Sequence, residues 1–378
     1  MRVLLVASPL VGHVLPLVPL ATALREAGHD VLLATAAEGV AAGRRAGVEV
    51  RDVAPVFDLR SVFTRTALRH PRLAAREVRG RAGTDMVGHL FAAVFEQMAD
   101  GAVALADEWR PDLVVHEPLA ATGALAAARR EVPFVTVDAS LFDPRDLLSA
   151  TLAQVGPVAR RYGVTDFPEP AEMLMTAPPS VTGARWGRPM RYLPTTGDGA
   201  APEDLTRRGD RPRIIVTRST VEAPLPDALM SSVAAAAVGT ELDVVLVRPD
   251  RRVTRRPLPD NVRTADWLTF PAVFPAADGV VHHGGAGTLL TALAAGLPQL
   301  VAPGAGDRTV HAEMVAARGA GLAVPAKGIT RADLERLVND PSLRTSAQEV
   351  AGEMAAMPHP RELVPVLERL AGVSRGAA

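Results

Sequence analysis

Apolar residues fall in short continuous runs along the first part of the chain, and each run ends near a turn-forming residue. RVLLVAS at residues 2–8 is the first run, and others follow at 29–36 and 48–53. Such runs are typical of parallel strands that are buried on both faces. Between the first two runs, residues 14–27 place leucines at helical spacing. The order strand, helix, strand, helix, strand predicts a doubly wound α/β domain.

This domain continues to about residue 140, where the pattern weakens. A long helix is predicted near residues 86–109, and strands are predicted at 111–117 and 133–140. Residues 58–84 are rich in arginine and are expected to be irregular, and residues 141–210 show no clear period. Neither of these two stretches is assigned a regular element.

A second α/β pattern begins after TTGDGAAPEDLTRRGDRP at residues 195–212. This segment is polar and contains glycine and proline, a composition that is typical of a linker. Beyond it, strands and helices are predicted at residues 213–219, 224–238, 242–249, 261–267, 278–283, 287–296 and 298–303. We therefore expect two α/β halves that enclose a cleft, with ligands bound at the carboxyl ends of the strands.

Composition narrows the class of protein. The 378 residues are too many for one ordinary core. The sequence contains 41 Lys and Arg against 42 Asp and Glu, and this balance disfavours binding to nucleic acids or to membrane surfaces. No cysteine is present, which excludes disulfides and thiolate chemistry. The amino terminus lacks the layout of a signal peptide, and no apolar run is long enough for a membrane span, so a cytoplasmic protein is expected.

HHGGAGT at residues 282–288 lies between a predicted strand and a predicted helix. It could form a metal site, a phosphate site or a simple turn. A metal site is disfavoured because adjacent histidines of a strand point to opposite faces, and no cysteine completes a tetrahedral ligand set. A phosphate site is favoured by the free N–H groups and the dipole at a helix amino terminus. The P-loop lysine and the dinucleotide-binding glycine pattern are both absent, which argues against a nicotinamide-dependent dehydrogenase.

These motifs resemble those of family 1 glycosyltransferases of the GT-B fold. Residues 261–324 contain NVRTADWL, VVHHGGAGTLLTALAAGLPQLVAPGAGD, HAE and GAGLAV. They are similar to the donor-binding region of the bacterial branch that glycosylates antibiotics and other natural products. GHVLPLVPLATALREAGHDV at residues 12–31 is similar to the amino-terminal motif of the family. The resemblance implies two Rossmann-like, doubly wound α/β domains that face a central cleft.

The resemblance also implies a domain layout. Residues 1–200 would bind the acceptor, and residues 201–358 would bind the nucleotide sugar. Residues 359–378 would cross back to the first domain as a helix, since RELVPVLERLAG at 361–372 is amphipathic. Closure of the cleft would then be a hinge motion about the linker.

The diphosphate of the donor has its own implied contacts. His282 would pack in the core, whereas the next histidine and the turn after it would hold the diphosphate; these residues are His283, Gly285, Ala286, Gly287 and Thr288. Arg218 replaces a glycine that is usual at the end of the first strand of this half. The hydroxyls that follow it, Ser219 and Thr220, are candidate phosphate contacts, although a strand-end turn is the alternative for them.

The base and the sugar of the donor have further implied contacts. Trp267 would stack on the nucleotide base, and the backbone of Leu268 would pair with the base. Asp307 would accept hydrogen bonds from the sugar hydroxyls. Arg308 stands where the family usually has glutamine, and it could reach a phosphate or lie in solvent. No acidic metal-binding motif is found at this site, so no metal is expected.

Catalysis in the family is a single inverting displacement. His13 matches the base that deprotonates the acceptor, and an imidazole titrates near neutrality as a general base requires. Glu117, at the end of DLVVHE, would orient His13 and stabilise its protonated form. Asp138, at the end of VTVDAS, is a second candidate, since a carboxylate there resembles the base proposed in relatives that glycosylate aromatic carbon.

The sequence therefore predicts a glycosyltransferase that uses a nucleotide-sugar co-substrate and no other cofactor. The donor is expected to be a dTDP-deoxysugar and the acceptor a hydrophobic natural-product aglycone such as an aromatic polyketide. A C-glycosyltransferase that uses Asp138 and a non-catalytic nucleotide-sugar-binding partner protein are the alternatives. A homodimer is an open expectation.

Overall fold

The structure of the protein is a computed structural model that describes residues 1–77, 82–138, 140–195, 201–219, 228–255 and 257–372. Within these residues, the strands form two separate sheets, one in each half of the chain. All the paired strands in both sheets are parallel. The prediction of two doubly wound α/β halves is confirmed.

The amino-terminal sheet has the strand order β3-β2-β1-β4-β5-β6-β7. Its strands are β1 (Arg2–Val6), β2 (Asp30–Thr35), β3 (Val50–Asp52), β4 (Leu113–His116), β5 (Phe134–Val137), β6 (Glu172–Met175) and β7 (Arg188–Pro189). The strand order reverses between β1 and β4, which pair directly with Val6 opposite His116. Loops that leave these two strands in opposite directions open a crevice at their carboxyl ends.

Helices cover both faces of this sheet. They are α1 (Val11–Val14), α2 (Val18–Glu26), α3 (Ala37–Arg45), α4 (Leu59–Arg69), α5 (Pro71–Glu77), α6 (Thr84–Trp109), α7 (Thr122–Arg130), α8 (Pro144–Ala159) and α9 (Pro179–Thr182), with 3-10 turns at Leu15–Leu17 and Arg160–Tyr162. Successive side chains of a strand point to opposite faces. In β1, Leu5 accordingly packs in the layer of α2, whereas Leu4 packs in the layer of α6.

The carboxyl-terminal sheet has the strand order β10-β9-β8-β11-β12-β13. Its strands are β8 (Arg213–Thr217), β9 (Asp243–Val247), β10 (Val262–Ala265), β11 (Gly279–His282), β12 (Gln299–Val301) and β13 (Gly321–Ala323). The strand order reverses between β8 and β11, where Thr217 lies opposite His282. This half therefore repeats the crevice of the first half.

The helices of the carboxyl-terminal half follow the same alternation. They are α10 (Glu203–Thr206), α11 (Leu229–Ala236), α12 (Arg251–Thr254), α13 (Phe270–Val273), α14 (Ala286–Ala294), α15 (Arg308–Arg318), α16 (Arg331–Asn339), α17 (Pro341–Ala356) and α18 (Pro360–Leu370), with 3-10 turns at Phe274–Ala276 and Ala326–Gly328. The predicted helix at 224–238 is observed only from Leu229, because residues 220–227 lie outside the described residues.

Two stretches that were expected to be irregular contain helices. The first, 58–84, contains α4 and α5, and Asp58 caps α4 by accepting a hydrogen bond from the N–H of Arg60 at 3.0 Å. Only two residues of α4 are buried, so its apolar stripe is too narrow to register in the sequence pattern. The second, 141–210, contains α8, β6 and β7. The buried residues of α8 do lie at helical spacing, but a proline at each end obscured the pattern.

Part of the predicted linker is packed. Leu205 of α10 is buried in the core of the carboxyl-terminal half, beside Ile215 and Phe274. The predicted domain boundary between residues 200 and 201 adjoins residues 196–200, which lie outside the described residues. That boundary stays a prediction.

The last helix, α18, packs on the amino-terminal half. Leu363, Val364 and Leu367 are buried in the same apolar layer as α2. Beside them, Nε2 of His29 lies 3.1 Å from a carboxylate oxygen of Glu368, and both side chains are almost fully buried. The chain therefore passes from the first half to the second and returns to the first.

An apolar interdomain cluster joins the two halves near the cleft. Leu141, Ala177 and Val181 of the amino-terminal half are buried in it. On the other side, α14, α15 and α17 supply most of its buried side chains, among them Leu289, Leu290, Leu293, Ala312, Val315, Ala347, Val350 and Met354. The loop that follows β5 is thus fixed directly on the carboxyl-terminal half.

Candidate functional site

The crevice of the amino-terminal half brings together His13 and Glu117. His13 lies in α1, directly after β1, and Glu117 is the first residue after β4. Because β1 and β4 are neighbours, the two side chains meet at the edge of the sheet. Nδ1 of His13 lies 3.2 Å from Oε2 of Glu117. The ring of Phe91, 5.5 Å away between centroids, packs beside the imidazole.

The charges of His13 and Glu117 each shift the pKa of the other residue. Burial alone lowers the pKa of His13, but the negative charge and the contact of Glu117 outweigh it, so the pKa of His13 is raised above 6.5. Burial raises the pKa of Glu117, yet the charge of His13 and the N–H groups of Ser8 and Leu119 bring that pKa below its usual value. These N–H groups donate to the carboxylate at 3.1 and 2.8 Å. Glu117 is therefore a fixed carboxylate beside Nδ1 of His13, close enough to favour a proton on that nitrogen and to leave Nε2 as the basic atom.

Asp138, the second candidate base, has different surroundings. It follows β5, and its side chain is 1% exposed. One carboxylate oxygen accepts from the N–H of Ser140 at 2.8 Å, and the other accepts from the N–H of Ala177 at 3.4 Å. These bonds hold the loop after β5 against the loop after β6. The arrangement favours a structural role for Asp138, and its role as a base stays a prediction.

The carboxyl-terminal crevice contains the predicted diphosphate turn. Gly285 is the N-cap of α14, so Ala286, Gly287 and Thr288 form the first helical turn. No side chain caps this helix and no acidic residue lies in its first turn. The N–H groups of a first turn have no partner within the helix, and the helix dipole favours an anion there. The turn is therefore chemically suited to a phosphate.

The two adjacent histidines have different surroundings. His282 is fully buried, accepts a hydrogen bond at Nδ1 from the N–H of Gly284 at 3.1 Å, and donates from Nε2 to Gln299 at 2.8 Å. Burial, with a smaller effect of a neighbouring histidine, lowers its pKa to about 4. This agrees with the predicted packing role.

His283 faces the turn instead. A Cβ at Gly285 would lie 2.5 Å from Nε2 of His283, so only glycine leaves room for the ring. Burial and then the charge of Arg308 lower its pKa well below 6.5. His283 is therefore a neutral imidazole that can donate one N–H to a phosphate oxygen, and its Nδ1 is buried with no hydrogen-bond partner among the described residues.

A cavity of about 430 Å³ is lined in part by residues 264–266, which directly precede the predicted base-binding Trp267 in sequence. Arg218, Arg248 and Thr264 are among the residues that line it. The indole of Trp267 is 45% exposed, and the guanidinium of Arg248 lies 5.1 Å from the centre of its ring. Arg248 has φ of +53°, a conformation that non-glycine residues adopt rarely and mainly where the surroundings impose it. A partly exposed aromatic ring and a neighbouring cavity lined by two arginines are suited to a nucleotide.

The roles of three other predicted donor contacts, Leu268, Ser219 and Thr220, stay predictions. Leu268 is buried at 4% exposure and packs in the core below Trp267. Ser219 follows β8 at the carboxyl edge of the sheet, near the diphosphate turn of the neighbouring strand. Thr220 lies outside the described residues.

Asp307 and Arg308 lie at the start of α15. Asp307 is the N-cap of the helix, and its charge contributes to the raised pKa of His13 in the other half. The predicted sugar contact and the predicted base therefore lie within electrostatic range across the cleft. A Cβ at Gly284 would lie 3.2 Å from Cα and Cβ of Arg308, which places the backbone and Cβ of this arginine against the diphosphate turn.

Sequence reasoning missed two residues of this site. Arg248 directly follows β9, and its position at a strand end was the only available signal. His311 appears in the quoted HAE motif but was given no role, because both of its hydrogen-bond partners are remote in sequence. Among the described residues, no group of three or more His, Cys, Asp or Glu side chains is arranged to hold a metal. None of the described helices is long and apolar enough to cross a membrane.

Comparison with known proteins places these features in context. Residues 22–151 match the family described as "Erythromycin biosynthesis protein CIII-like, N-terminal domain", and residues 229–370 match the C-terminal domain of the same description. The chain is similar to elloramycin glycosyltransferase ElmGT from Streptomyces olivaceus, with 33% identity over 99% of this chain and 98% of that protein.

Solved structures give the same result. The glycosyltransferase SnogD from Streptomyces nogalater superimposes with a TM-score of 0.82 at 32% identity, covering 98% of this chain and 99% of that one. The glycosyltransferase SsfS6 from Streptomyces sp. SF2575, in complex with thymidine diphosphate, superimposes with a TM-score of 0.82 at 31% identity, covering 98% and 99%.

Proposed function

The chain belongs to the erythromycin CIII-like family of natural-product glycosyltransferases with the GT-B fold, and from this premise we propose a specific reaction for it. It transfers a deoxysugar from a thymidine diphosphate donor to a hydrophobic aglycone, such as an aromatic polyketide, by one inverting displacement. The thymidine diphosphate complex of SsfS6 supports the choice of nucleotide. The relation to the elloramycin glycosyltransferase supports the class of acceptor.

The chemical step uses His13 as the general base. Nε2 of His13 takes the proton of the acceptor hydroxyl, while the acceptor oxygen forms a bond to the anomeric carbon from the face opposite the leaving group. The bond between that carbon and the diphosphate oxygen breaks, and the nucleoside diphosphate leaves with the electron pair. Glu117 stabilises the imidazolium as it forms, because its carboxylate is already in place at Nδ1.

The donor site stabilises the charge that develops on the leaving diphosphate. The N–H groups of Ala286, Gly287 and Thr288 at the start of α14, together with His283 and Arg308, face this charge. The base stacks on the exposed face of Trp267. Asp307 accepts hydrogen bonds from the sugar, and Ser219 contacts a phosphate.

One observation carries this proposal: His13 and the buried Glu117 form a pair at the carboxyl edge of one sheet, and the charge of Asp307 at the edge of the other sheet contributes to the raised pKa of His13. A protein that only bound nucleotide sugars would need the second edge alone. The pairing of a fixed carboxylate with a partly exposed imidazole at the first edge is what an acceptor hydroxyl requires.

A product screen tests the reaction directly. The protein is incubated with dTDP-sugars and phenolic polyketides in combination, and products are identified by mass spectrometry before and after mild acid. We expect an acid-labile glycoside, as an O-linked deoxysugar gives. An acid-stable product would indicate attachment to carbon, and no product from any pair would count against the substrate classes proposed.

The role of His13 is tested separately from donor binding. His13→Ala should lower the turnover number by about 10²- to 10⁴-fold, the usual contribution of a general base. Its affinity for thymidine diphosphate, measured by isothermal titration, should change little. Unchanged turnover would transfer the base role to Asp138. If neither thymidine diphosphate nor uridine diphosphate binds the wild-type protein at millimolar concentration, the assignment of the donor is wrong.

A further inference from the structure

His311 links the two sides of the cleft through both nitrogen atoms of its ring. The residue lies in α15 and is fully buried. Its Nδ1 is 2.8 Å from the carbonyl oxygen of Gly284 in the diphosphate turn. Its Nε2 accepts a hydrogen bond of 3.2 Å from the N–H of Leu141, which belongs to the amino-terminal half. The two partners are 143 residues apart in sequence, as the numbers 141 and 284 give, and they lie on opposite sides of the cleft.

These partners fix the state of the ring. A carbonyl oxygen can only accept, so Nδ1 carries the proton, and a backbone N–H can only donate, so Nε2 carries a lone pair. His311 is therefore a neutral imidazole in one tautomer. Oδ2 of Asp307, at 3.6 Å from Nε2, is the nearby carboxylate that faces the ring. Any rotation of the ring would break both bonds at once.

The bond to Gly284 also orients the donor site. The peptide between Gly284 and Gly285 is planar and trans, so its N–H points opposite to its C=O. By holding the carbonyl oxygen of Gly284, His311 fixes the direction of the N–H of Gly285, the N-cap of α14. On the other side of Gly284, its own N–H donates to Nδ1 of His282. The turn is thereby held from both sides.

The bond to Leu141 extends this restraint to the acceptor half. Leu141 is buried in the interdomain cluster, and its carbonyl oxygen accepts a 2.7 Å hydrogen bond from Arg185. The next carbonyl, of Phe142, accepts from the same guanidinium at 2.8 Å. Asp138 holds the start of this loop through Ser140. A shift of the diphosphate turn is therefore passed to Leu141, whose neighbours Ser140 and Phe142 are held by other hydrogen bonds.

We propose that His311 is a positioning residue that couples occupancy of the diphosphate turn to the loop after β5 in the acceptor half. This inference rests on the proposed function, because it takes the turn to be the diphosphate site. Binding of the diphosphate restrains the peptide of Gly284, and the ring transmits that restraint to the N–H of Leu141. His311 touches neither substrate.

Two substitutions separate the two bonds of the ring. His311→Asn places its amide N–H near the position of Nδ1, so the bond to Gly284 is kept and the bond to Leu141 is lost. His311→Gln places its amide oxygen near the position of Nε2, so the bond to Leu141 is kept and the bond to Gly284 is lost. Each variant is the control for the other, because both replace the ring by an uncharged amide.

The test is hydrogen exchange of the full-length protein with and without thymidine diphosphate. In the wild-type protein, we expect the nucleotide to slow exchange of the turn at 282–288 and also of the peptide that contains Leu141, the latter by about three- to tenfold, as one hydrogen bond gives. In both variants, the effect on the Leu141 peptide should be lost. Without nucleotide, that peptide should exchange faster in the Asn variant only. Nucleotide affinity should fall by about three- to tenfold in the Gln variant only.

The outcomes are distinguishable. If the nucleotide fails to bind or to protect the turn in the wild-type protein, the proposed donor site is wrong. If it protects the turn but not the Leu141 peptide, the coupling is absent and the inference is overturned. If protection of the Leu141 peptide persists in His311→Asn, packing of the interdomain cluster carries the effect and His311 does not. A KM for the acceptor that rises in His311→Asn while nucleotide affinity is retained would support the inference further.

Discussion

The substitution Glu117→Gln tests how the carboxylate acts on His13. The side chain keeps its size and loses its negative charge, but the three contacts of the carboxylate cannot all survive. The N–H groups of Ser8 and Leu119 both require an acceptor, and a glutamine has one oxygen for them. Oε2 is the oxygen that the N–H of Leu119 and Nδ1 of His13 both contact, so the amide oxygen fits best there, and the NH2 group would face the N–H of Ser8, where a donor meets a donor.

The magnitude follows from the negative charge that is lost. A contact with a charged hydrogen-bonding group contributes about 1.5 to 3 kcal/mol, and the contact between Glu117 and His13 is strongest when the imidazolium forms in the transition state. At about 1.36 kcal/mol for each factor of ten, the turnover number should fall by about 10- to 150-fold. Affinity for thymidine diphosphate should stay the same, since Glu117 lies in the amino-terminal half and the proposed donor site lies in the other half.

The pH dependence should shift as well. In the proposed reaction, His13 acts as the base only when it is unprotonated, so the rate of the wild-type enzyme should rise with pH through a pKa above 6.5. Without the carboxylate, burial is the main remaining influence, and burial lowers the pKa of His13. The rising limb of the variant should therefore move to lower pH, although its plateau is reduced.

Initial rates from about pH 5 to about pH 9, with the substrate pair found in the product screen, measure both effects. Glu108→Gln is the matched control, since Glu108 is exposed and its ion pair among the described residues is a 3.9 Å contact with Arg51. A plateau within about twofold of the wild-type value, or a limb that moves to higher pH, would refute this account of the pair.

Three further predictions concern other parts of the molecule. Gly285→Ala should weaken binding of thymidine diphosphate in titration calorimetry, because the new Cβ displaces the ring of His283. Gly352→Ala is the control and should leave this binding unchanged, because a Cβ there meets no atom within 4 Å. Trp267→Ala should weaken the same binding by about 1 to 3 kcal/mol through loss of base stacking, and unchanged affinity would place the base elsewhere. Glu368→Ala should lower the melting temperature by an amount that corresponds to about 1 to 3 kcal/mol, because Nε2 of the buried His29 loses its carboxylate partner. An unchanged melting temperature in calorimetry would show that this contact does not hold α18 in place.

The sequence was sufficient where the physical signal is local. Continuous apolar runs located β1, β2, β4 and β5, since a strand buried on both faces needs apolar side chains at every position. HHGGAGT located the start of α14, because a strand, a glycine turn and a helix follow one another directly in the chain. His13 and Glu117 could be matched as a pair from the family motif, and their 3.2 Å contact follows from the adjacency of β1 and β4.

The elements and site residues that the sequence did not predict depend on contacts between segments that are distant in the chain. α4 and α8 escaped notice because their apolar stripes are narrow or bounded by prolines. Asp138 resembled a base at a strand end, but its partners, the backbone N–H groups of Ser140 and Ala177, are set by how two loops fold together. The position of Arg248 over Trp267 is likewise fixed by neighbouring strands that are separate in sequence.

The return of α18 to the amino-terminal half has a consequence for recombination between related enzymes. A chimera made by one crossover at the linker would place the final helix of one parent on the first sheet of another. Leu363 and Leu367 would then meet an α2 layer from a different sequence, and His29 would face a residue other than Glu368. A functional exchange of the amino-terminal half therefore needs two crossovers, one in the linker and one just before α18, so that the first sheet and the final helix are inherited together.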